Sequence, residues 1–167
     1  MTAVTIDVPI SNDSPDGVVY EPHPHVDRLI RFWRDAHPAD GVLPGRQHID
    51  ITAIPDLLPY VWIFDIDGDP MYARLRLAGE SARRLIPTLT RGRMIETGHP
   101  NHARFAVTVE RRRPSWRRGP TLLPILEQRF GAVIVESIFM PLAGDGERID
   151  AVTGLTLIFD RAGKMWG

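Results

Sequence analysis

Two neighbouring segments in the middle of the chain carry the clearest hydrophobic pattern. Residues 61–66 are almost all apolar and rich in β-branched and aromatic side chains, which predicts a strand buried on both faces. Asp67 and Gly68 then supply a tight turn. In residues 71–78 apolar and polar side chains alternate, so one face of this second strand is expected to meet the core and the other water. Together they predict an antiparallel hairpin.

The amino-terminal part of the chain predicts an arm followed by a helix. Residues 1–22 are rich in Asp, Ser, Pro and Gly without periodicity, which indicates a loosely ordered arm. A helix is predicted over residues 24–37, because Pro24 suits a first helical turn and Pro38 ends the pattern. Its apolar side chains recur at helical spacing and form one stripe: Val26, Leu29, Ile30 and Trp33.

The rest of the chain reads as a helical middle and three further strands. Residues 80–86 are expected to be helical, and another helix follows Pro100. Its predicted inner face carries His102, Phe105, Ala106 and Val109, with Arg104 and Glu110 on the wet side.

Three strand segments follow, at residues 115–123, 132–142 and 149–159, and the first is weak because Gly119 and Pro120 interrupt it. This order predicts an α+β domain over residues 23–160, in which helices cover one face of a five-stranded antiparallel sheet. Residues 161–167 are expected to form a tail.

Composition excludes several function classes. The chain has 167 residues, a net charge of −1 and no cysteine, which rules out disulfides, thiolate metal sites, thiol catalysis and a flavin bound covalently to cysteine. Near-neutral charge argues against a nucleic-acid partner. The sequence has no apolar run long enough to enter a membrane and no signal-peptide core, so a cytoplasmic location is expected. Nucleotide-binding and hydrolase motifs are missing, so no enzyme activity is predicted.

Four fragments carry a family resemblance through their order and spacing: IPDLLPYVWIFDID, YARLRLAGE, TRGRMIET and FMPLAGDGERIDAV. From about Arg28 to Asp160 the chain resembles the bacterial stand-alone PAS domains of the PAS_5 type, which are found largely in alphaproteobacteria. The resemblance implies the sheet order 2-1-5-4-3 and a cavity between the sheet and the middle helices. It implies a sensory or signalling module and no particular reaction.

A ligand cavity of that kind would take its wall from alternate strand positions and from the helix after Pro100. The candidate residues are Trp62, Phe64, Leu75, Leu77, His102, Phe105, Val135, Phe139, Leu155 and Leu157. The alternative is a close-packed core with no vacancy. Haem-binding PAS domains place their axial histidine on this helix, so His102 is a candidate haem ligand and His99 is the fallback. The alternative is that His102 is a half-exposed histidine at the start of a helix. The cofactor is therefore left unknown, and no complete set of metal ligands is apparent.

Two surfaces suggest partners. The apolar stripe of the first helix needs a cover, either the outer face of its own sheet or a second molecule, and a homodimer organised by this helix is predicted. A basic cluster at Arg111, Arg112, Arg113, Arg117 and Arg118 reads as a solvated helix end or, second, as a site for an acidic partner.

The predicted output acts in trans. The sequence ends eight residues after Phe159, which leaves no space for an attached output domain, so the signal is expected to pass to a regulatory partner such as a histidine kinase. The alternatives are a pure interaction and dimerisation module without ligand and, least favoured, an unrecognised enzyme.

Overall fold

The computed structural model describes residues 21–131 and 133–166, in which seven antiparallel strands form one sheet with helices on both faces. Of the predicted arm at 1–22, residues 1–20 lie outside this part. No helix within it is long and apolar enough to span a bilayer. The helices are α1 (Pro24–Asp35), α2 (Glu80–Leu85), α3 (His102–Arg111) and α4 (Pro124–Phe130). The strands are β1 (Val61–Asp67), β2 (Tyr72–Ala78), β3 (Met94–Ile95), β4 (Ser115–Pro120), β5 (Ile134–Leu142), β6 (Ala151–Phe159) and β7 (Met165–Trp166).

The sheet has the neighbour order β3-β2-β1-β6-β5-β4, and β7 pairs with β6. Its five longer strands therefore follow the order implied by the resemblance, with β1 and β6 in the interior as their apolar character predicts. The strand count of five is wrong, because β3 extends the sheet beyond β2 and β7 pairs with the end of β6. The segment at 161–167, predicted as a tail, contributes β7 to the sheet.

The two faces of the sheet are covered by different helices. On one side, here called the α1 face, α1 packs against strand residues that include Val61, Ile138 and Leu155. On the other, here called the cleft face, α3 packs Phe105 onto the strands and α4 packs Leu126. The middle helices thus share one face as predicted, and the amino-terminal helix covers the opposite face.

The apolar stripe of α1 is buried against its own sheet. Its side chains are 0–8% exposed in the single chain. The indole Nε1 of Trp33 donates to the carbonyl of Pro141 at 2.9 Å, which satisfies the polar atom of the largest side chain in the stripe. The prediction that Val26, Leu29, Ile30 and Trp33 form a dimer interface is therefore wrong, because these side chains already have a neighbour within the protomer.

A β-bulge in the first hairpin moves Leu77 away from the predicted cavity wall. Phe64 pairs with Leu75 and Ile63 pairs with Leu77, so Arg76 is an extra residue on β2. An inserted residue reverses the alternation of faces beyond it. Leu77 consequently lies on the α1 face with Ile63, and 39% of its surface is exposed. The alternation of apolar and polar residues along the sequence does not show where such an extra residue is inserted.

In β6, the last long strand, the side chains point to the opposite faces of the sheet from those predicted. Leu155 pairs with Ile138 and Leu157 pairs with Glu136, and both leucines are buried in the cluster beneath α1. The cleft face of β6 carries Thr156 and Ile158 instead. Since both faces of a central strand are apolar, the alternation of side chains does not say which face is which.

At Gly154 in the same strand, neighbouring atoms lie too close to the backbone for any side chain. A Cβ atom there would lie 1.9 Å from the carbonyl oxygen of Ile138 and 2.7 Å from the Trp62 ring. Glycine therefore leaves space for the indole of Trp62 against the backbone of β6, where the ring lines the cleft.

Candidate ligand-binding cleft

A cleft opens on the cleft face between the sheet, the start of α3, and the segments around α4 and β3. Its cavity volume is about 80 Å³. A single buried water needs about 10–15 Å³ of such space, so the cleft has room for several water-sized groups. A close-packed core without any vacancy therefore does not describe this side of the sheet.

Four aromatic rings form one wall. Trp62 and Phe139 have ring centroids 4.7 Å apart, Phe105 and Phe139 4.8 Å, and Phe64 and Phe105 4.9 Å. Their planes are tilted or perpendicular, the arrangement that aromatic quadrupoles favour. These four residues and Val135 are the predicted cavity residues that the structure places on the lining.

A row of polar side chains crosses the floor of the cleft. Arg117 on β4, Ser137 on β5 and Thr156 on β6 are successive cross-strand partners. The row continues to β1, where the indole Nε1 of Trp62 donates to Thr156 Oγ1 at 3.0 Å. Arg117 is 8% exposed and Ser137 6% exposed. Sequence analysis missed this row, although polar residues within otherwise apolar central strands were a usable signal.

Arg104 reaches the same row from the opposite side. Its guanidinium stacks over the Phe139 ring at 4.0 Å, its Nη2 donates to the Ser115 carbonyl at 2.9 Å, and its Nη1 donates to Ser137 Oγ. The prediction that Arg104 faces water is wrong. The inner face of α3 runs through Arg104, Phe105 and Thr108, so the helix is rotated by about one residue from its predicted orientation.

The remaining predicted cavity residues lie elsewhere. Leu75 is buried with the aromatic wall but behind the lining. Leu77 lies beyond the bulge, and Leu155 and Leu157 lie on the α1 face. His102 lies outside the lining, and its Nε2 is 2.8 Å from the Met71 carbonyl, so it is not placed to ligate haem in the cleft.

His99, the fallback candidate, does lie at the mouth of the cleft. Its Nδ1 accepts a hydrogen bond from the backbone N–H of Asn101 at 3.1 Å. Burial, and then the charge of nearby Arg93, lower the pKa of His99 below its ordinary value. A neutral imidazole is therefore favoured near pH 7. Among the described residues no three His, Asp or Glu side chains come together to hold a metal ion.

Two of the five arginines in the predicted basic cluster, Arg117 and Arg118, lie on opposite faces of β4. Arg117 points into the cleft, whereas Arg118 lies on the α1 face, where its guanidinium stacks over Phe159 at 4.4 Å. The reading of these two residues as part of a solvated helix end is wrong. They belong to a strand because Pro114 separates them from α3.

Glu136 is a fully buried carboxylate on the α1 face, directly before Ser137. Its Oε1 accepts hydrogen bonds from the backbone N–H of His23 at 2.7 Å and from the indole of Trp116 at 3.0 Å. Arg118 Nη1 lies 3.5 Å from the other oxygen. Since His23 caps α1, Glu136 attaches the beginning of that helix to the sheet.

The pH dependence of stability should report this buried carboxylate. Burial raises the pKa of Glu136, although its hydrogen bonds and Arg118 act in the opposite direction. The folded protein then holds a proton that the unfolded chain releases, so the unfolding free energy should fall as pH rises from about 4.5 through the raised pKa. Urea denaturation of wild type and Glu136→Gln across this range measures the difference.

In this comparison Glu136→Gln should lose less stability than wild type as pH rises, while the exposed Glu127→Gln should follow wild type. Burial lowers the pKa of His23 and of His25, which makes the unfolding free energy rise with pH and opposes the effect of Glu136. Comparison with Glu136→Gln is therefore required to isolate the contribution of Glu136. Parallel curves for wild type and Glu136→Gln would contradict the prediction.

Comparison with known proteins supplies one match. The sequence model of the PAS_5 family, described as a PAS domain, matches residues 22–157, which is most of the chain. Neither the curated proteins nor the solved structures give a significant match.

Proposed function

The chain belongs to the PAS_5 family of PAS domains, and from this premise we propose that it is a sensory module whose input is a small molecule held in the cleft. PAS domains are generally sensory or interaction modules rather than catalysts. The proposal includes no enzyme activity and no fixed cofactor.

The observation that carries the proposal is the cleft itself. A pure interaction module needs no vacancy between sheet and helices, whereas this chain has a cleft with a cavity volume of about 80 Å³. The lining combines an apolar wall with a few placed polar groups, which is the usual composition of a small-molecule site. These features favour a ligand-binding sensor over a ligand-free interaction module.

Strand β5 offers a direct route from the cleft to α1. Ser137 faces the cleft and the preceding residue, Glu136, faces the start of α1. A ligand that moves Ser137 therefore also shifts the acceptor that holds His23 at the helix cap. In this proposal α1 is the element whose position changes with ligand occupancy.

The proposed receiver of the signal is a regulatory protein acting in trans, such as a histidine kinase. Support comes from the family, whose members often mediate protein interaction and dimerisation, and from the placement of α1 on the outer side of the sheet. A homodimer, if formed, would use a surface other than the buried stripe of α1. The cytoplasmic location stays a prediction.

The test is to denature the purified full chain and to analyse released small molecules by mass spectrometry, with an absorbance spectrum taken beforehand. We expect a retained organic molecule and no Soret band. Val135→Trp, which places a large ring in the cleft, should abolish retention. The matched Leu77→Trp, on the opposite face, should keep it. Retention that is unchanged by Val135→Trp would contradict ligand binding in the cleft.

A further inference from the structure

Two hydroxyl groups lie side by side on the floor of the cleft. Ser137 on β5 and Thr156 on β6 are cross-strand partners, and both line the cleft. Directly opposed residues of an antiparallel pair have Cβ atoms about 4.5–5.5 Å apart. One ligand atom can therefore reach both hydroxyl groups.

Each of these hydroxyl oxygens already accepts a hydrogen bond from the protein. The indole Nε1 of Trp62 donates to Thr156 Oγ1 at 3.0 Å, and the guanidinium Nη1 of Arg104 donates to Ser137 Oγ. Indole and guanidinium N–H groups can only donate, so neither bond uses a hydroxyl hydrogen. Among the described residues no protein acceptor takes either hydrogen. Because buried donors normally have a partner, this pair calls for an acceptor from outside the chain.

The other threonines of the lining differ from this pair. Thr121 Oγ1 accepts a hydrogen bond from the backbone N–H of Leu123 at 3.0 Å and donates to the Leu123 carbonyl at 3.4 Å, so its hydroxyl is used within its own loop. Thr88 is exposed, and water satisfies its hydroxyl. Ser137 is buried and Thr156 half-buried, so their unused donors are available to a ligand in the cleft.

The charged groups around the cleft favour a ligand without net charge. Arg104 donates to the Ser115 carbonyl at 2.9 Å, Arg117 donates to the Pro120 carbonyl at 2.8 Å, and each has further interactions within the chain. A carboxylate would therefore lose its hydration beside guanidinium groups that already serve protein acceptors. A cation would meet no carboxylate, since no described Asp or Glu lines the cleft. An uncharged ligand avoids both costs.

The rest of the lining is apolar and the space is small. Aliphatic side chains such as Leu126 join the aromatic wall. The cavity volume is about 80 Å³, and Leu122 at its edge is 44% exposed. An enclosed apolar cavity of about 150 Å³ holds one benzene molecule. The inner part of the cleft thus takes less than a full ring, and the body of a ligand extends along the aromatic wall toward the mouth.

We infer that the cleft binds a small uncharged carbonyl compound, such as a ketone, aldehyde or ester with an apolar body. A carbonyl oxygen has two acceptor lone pairs and no hydrogen, which matches the two donors of Ser137 and Thr156. The apolar body lies along the aromatic wall. The inference rests on the proposed sensory function and names the ligand class.

The experiment uses the full chain and three phenyl probes of nearly equal size: acetophenone, cumene and benzoate. Titrations are followed in ¹H–¹⁵N NMR spectra, where shifts of the Ser137 and Thr156 amide signals locate binding. Acetophenone should bind about tenfold tighter than cumene, which lacks the carbonyl, since each of two neutral hydrogen bonds contributes about threefold. Benzoate should bind more weakly than acetophenone, because the cleft desolvates its charge.

Variants assign the donors. Thr156→Val keeps the shape of the side chain without its hydroxyl, so it should weaken acetophenone binding about threefold and leave cumene binding unchanged. Thr156→Ser keeps a hydroxyl and should keep the full preference for acetophenone. Thr90→Val, exposed and outside the lining, is the matched control and should affect neither probe. The comparison of probes on wild type needs no variant, so the test stays decisive if Thr156→Val fails to fold.

The outcomes separate this inference from the function on which it rests. Equal affinity for acetophenone and cumene, or tighter binding of benzoate, would overturn the ligand class while the sensory function stands. An unchanged preference for acetophenone in Thr156→Val would do the same. Failure of every probe together with no retained molecule would overturn both. A carbonyl compound that is released from wild type and absent from Thr156→Val supports both.

Discussion

Leu157→Ala should lower the unfolding free energy by about 2–5 kcal/mol, whereas Leu77→Ala should lower it by less than about 1 kcal/mol. Leu157 is fully buried beneath α1, and removing its side chain leaves a cavity that the rigid central strands cannot close. Leu77 lies beyond the bulge in β2, half exposed, so its truncation leaves space that water fills. Urea denaturation with linear extrapolation measures both values.

The two leucines form a matched pair, because simple alternation along the strands predicts that both line one buried cavity wall. Arg74→Gln, on the exposed face of β2, provides a control that should be close to neutral. Equal losses from the two leucine variants would mean that Leu77 is buried, and the bulge between β1 and β2 would then be misplaced.

The order of the longer strands was accessible from the sequence because it depends on coarse features. The run at residues 61–66 is apolar at every position except Asp65, which predicts a strand inside the sheet. The turn at Asp67-Gly68 fixed its partner. The resemblance supplied the remaining order, and the structure has the same neighbours among those strands.

The orientation of individual side chains was less accessible, for a different physical reason in each element. In β2 one inserted residue, Arg76, reverses the faces beyond it. In β6 both faces are apolar, so the sequence pattern does not show which side chains point to which face. In α3 the inner face contains Arg104, whose guanidinium donates to the Ser115 carbonyl and to Ser137 Oγ, contacts that depend on tertiary structure alone.

The candidate site was therefore predicted in its apolar half and missed in its polar half. The burial of rings such as Trp62 and Phe139 could be predicted, because it depends on how much apolar surface a side chain has and on its position along the strand. Arg117 belonged to a run of arginines that reads as solvated until β4 is known to begin at Ser115. Ser137 and Thr156 were visible as polar residues inside buried strands, and that signal could have located the floor of the cleft.

Trp33→Ala should be the most destabilising change on α1, lowering the unfolding free energy by about 3–5 kcal/mol. The indole is buried against the sheet, donates to the Pro141 carbonyl and contacts the His37 ring at 4.4 Å between centroids. Its loss removes packing and leaves a buried carbonyl without its donor. Arg31→Ala, on the exposed side of the same helix, is the control and should change stability by less than about 0.5 kcal/mol.

The oligomeric state tests whether the apolar stripe of α1 is covered by its own sheet or by a second molecule. Because the stripe is already covered within the protomer, light scattering on the folded fraction should give the same mass for Trp33→Ala and wild type at equal concentration. A stripe that held two protomers together would behave differently, since its truncation would shift the mass toward monomer and make the stability loss depend on protein concentration. Dissociation of a wild-type dimer by Trp33→Ala, with the protomer's own stability unchanged, would place α1 at the interface and contradict its packing on the sheet.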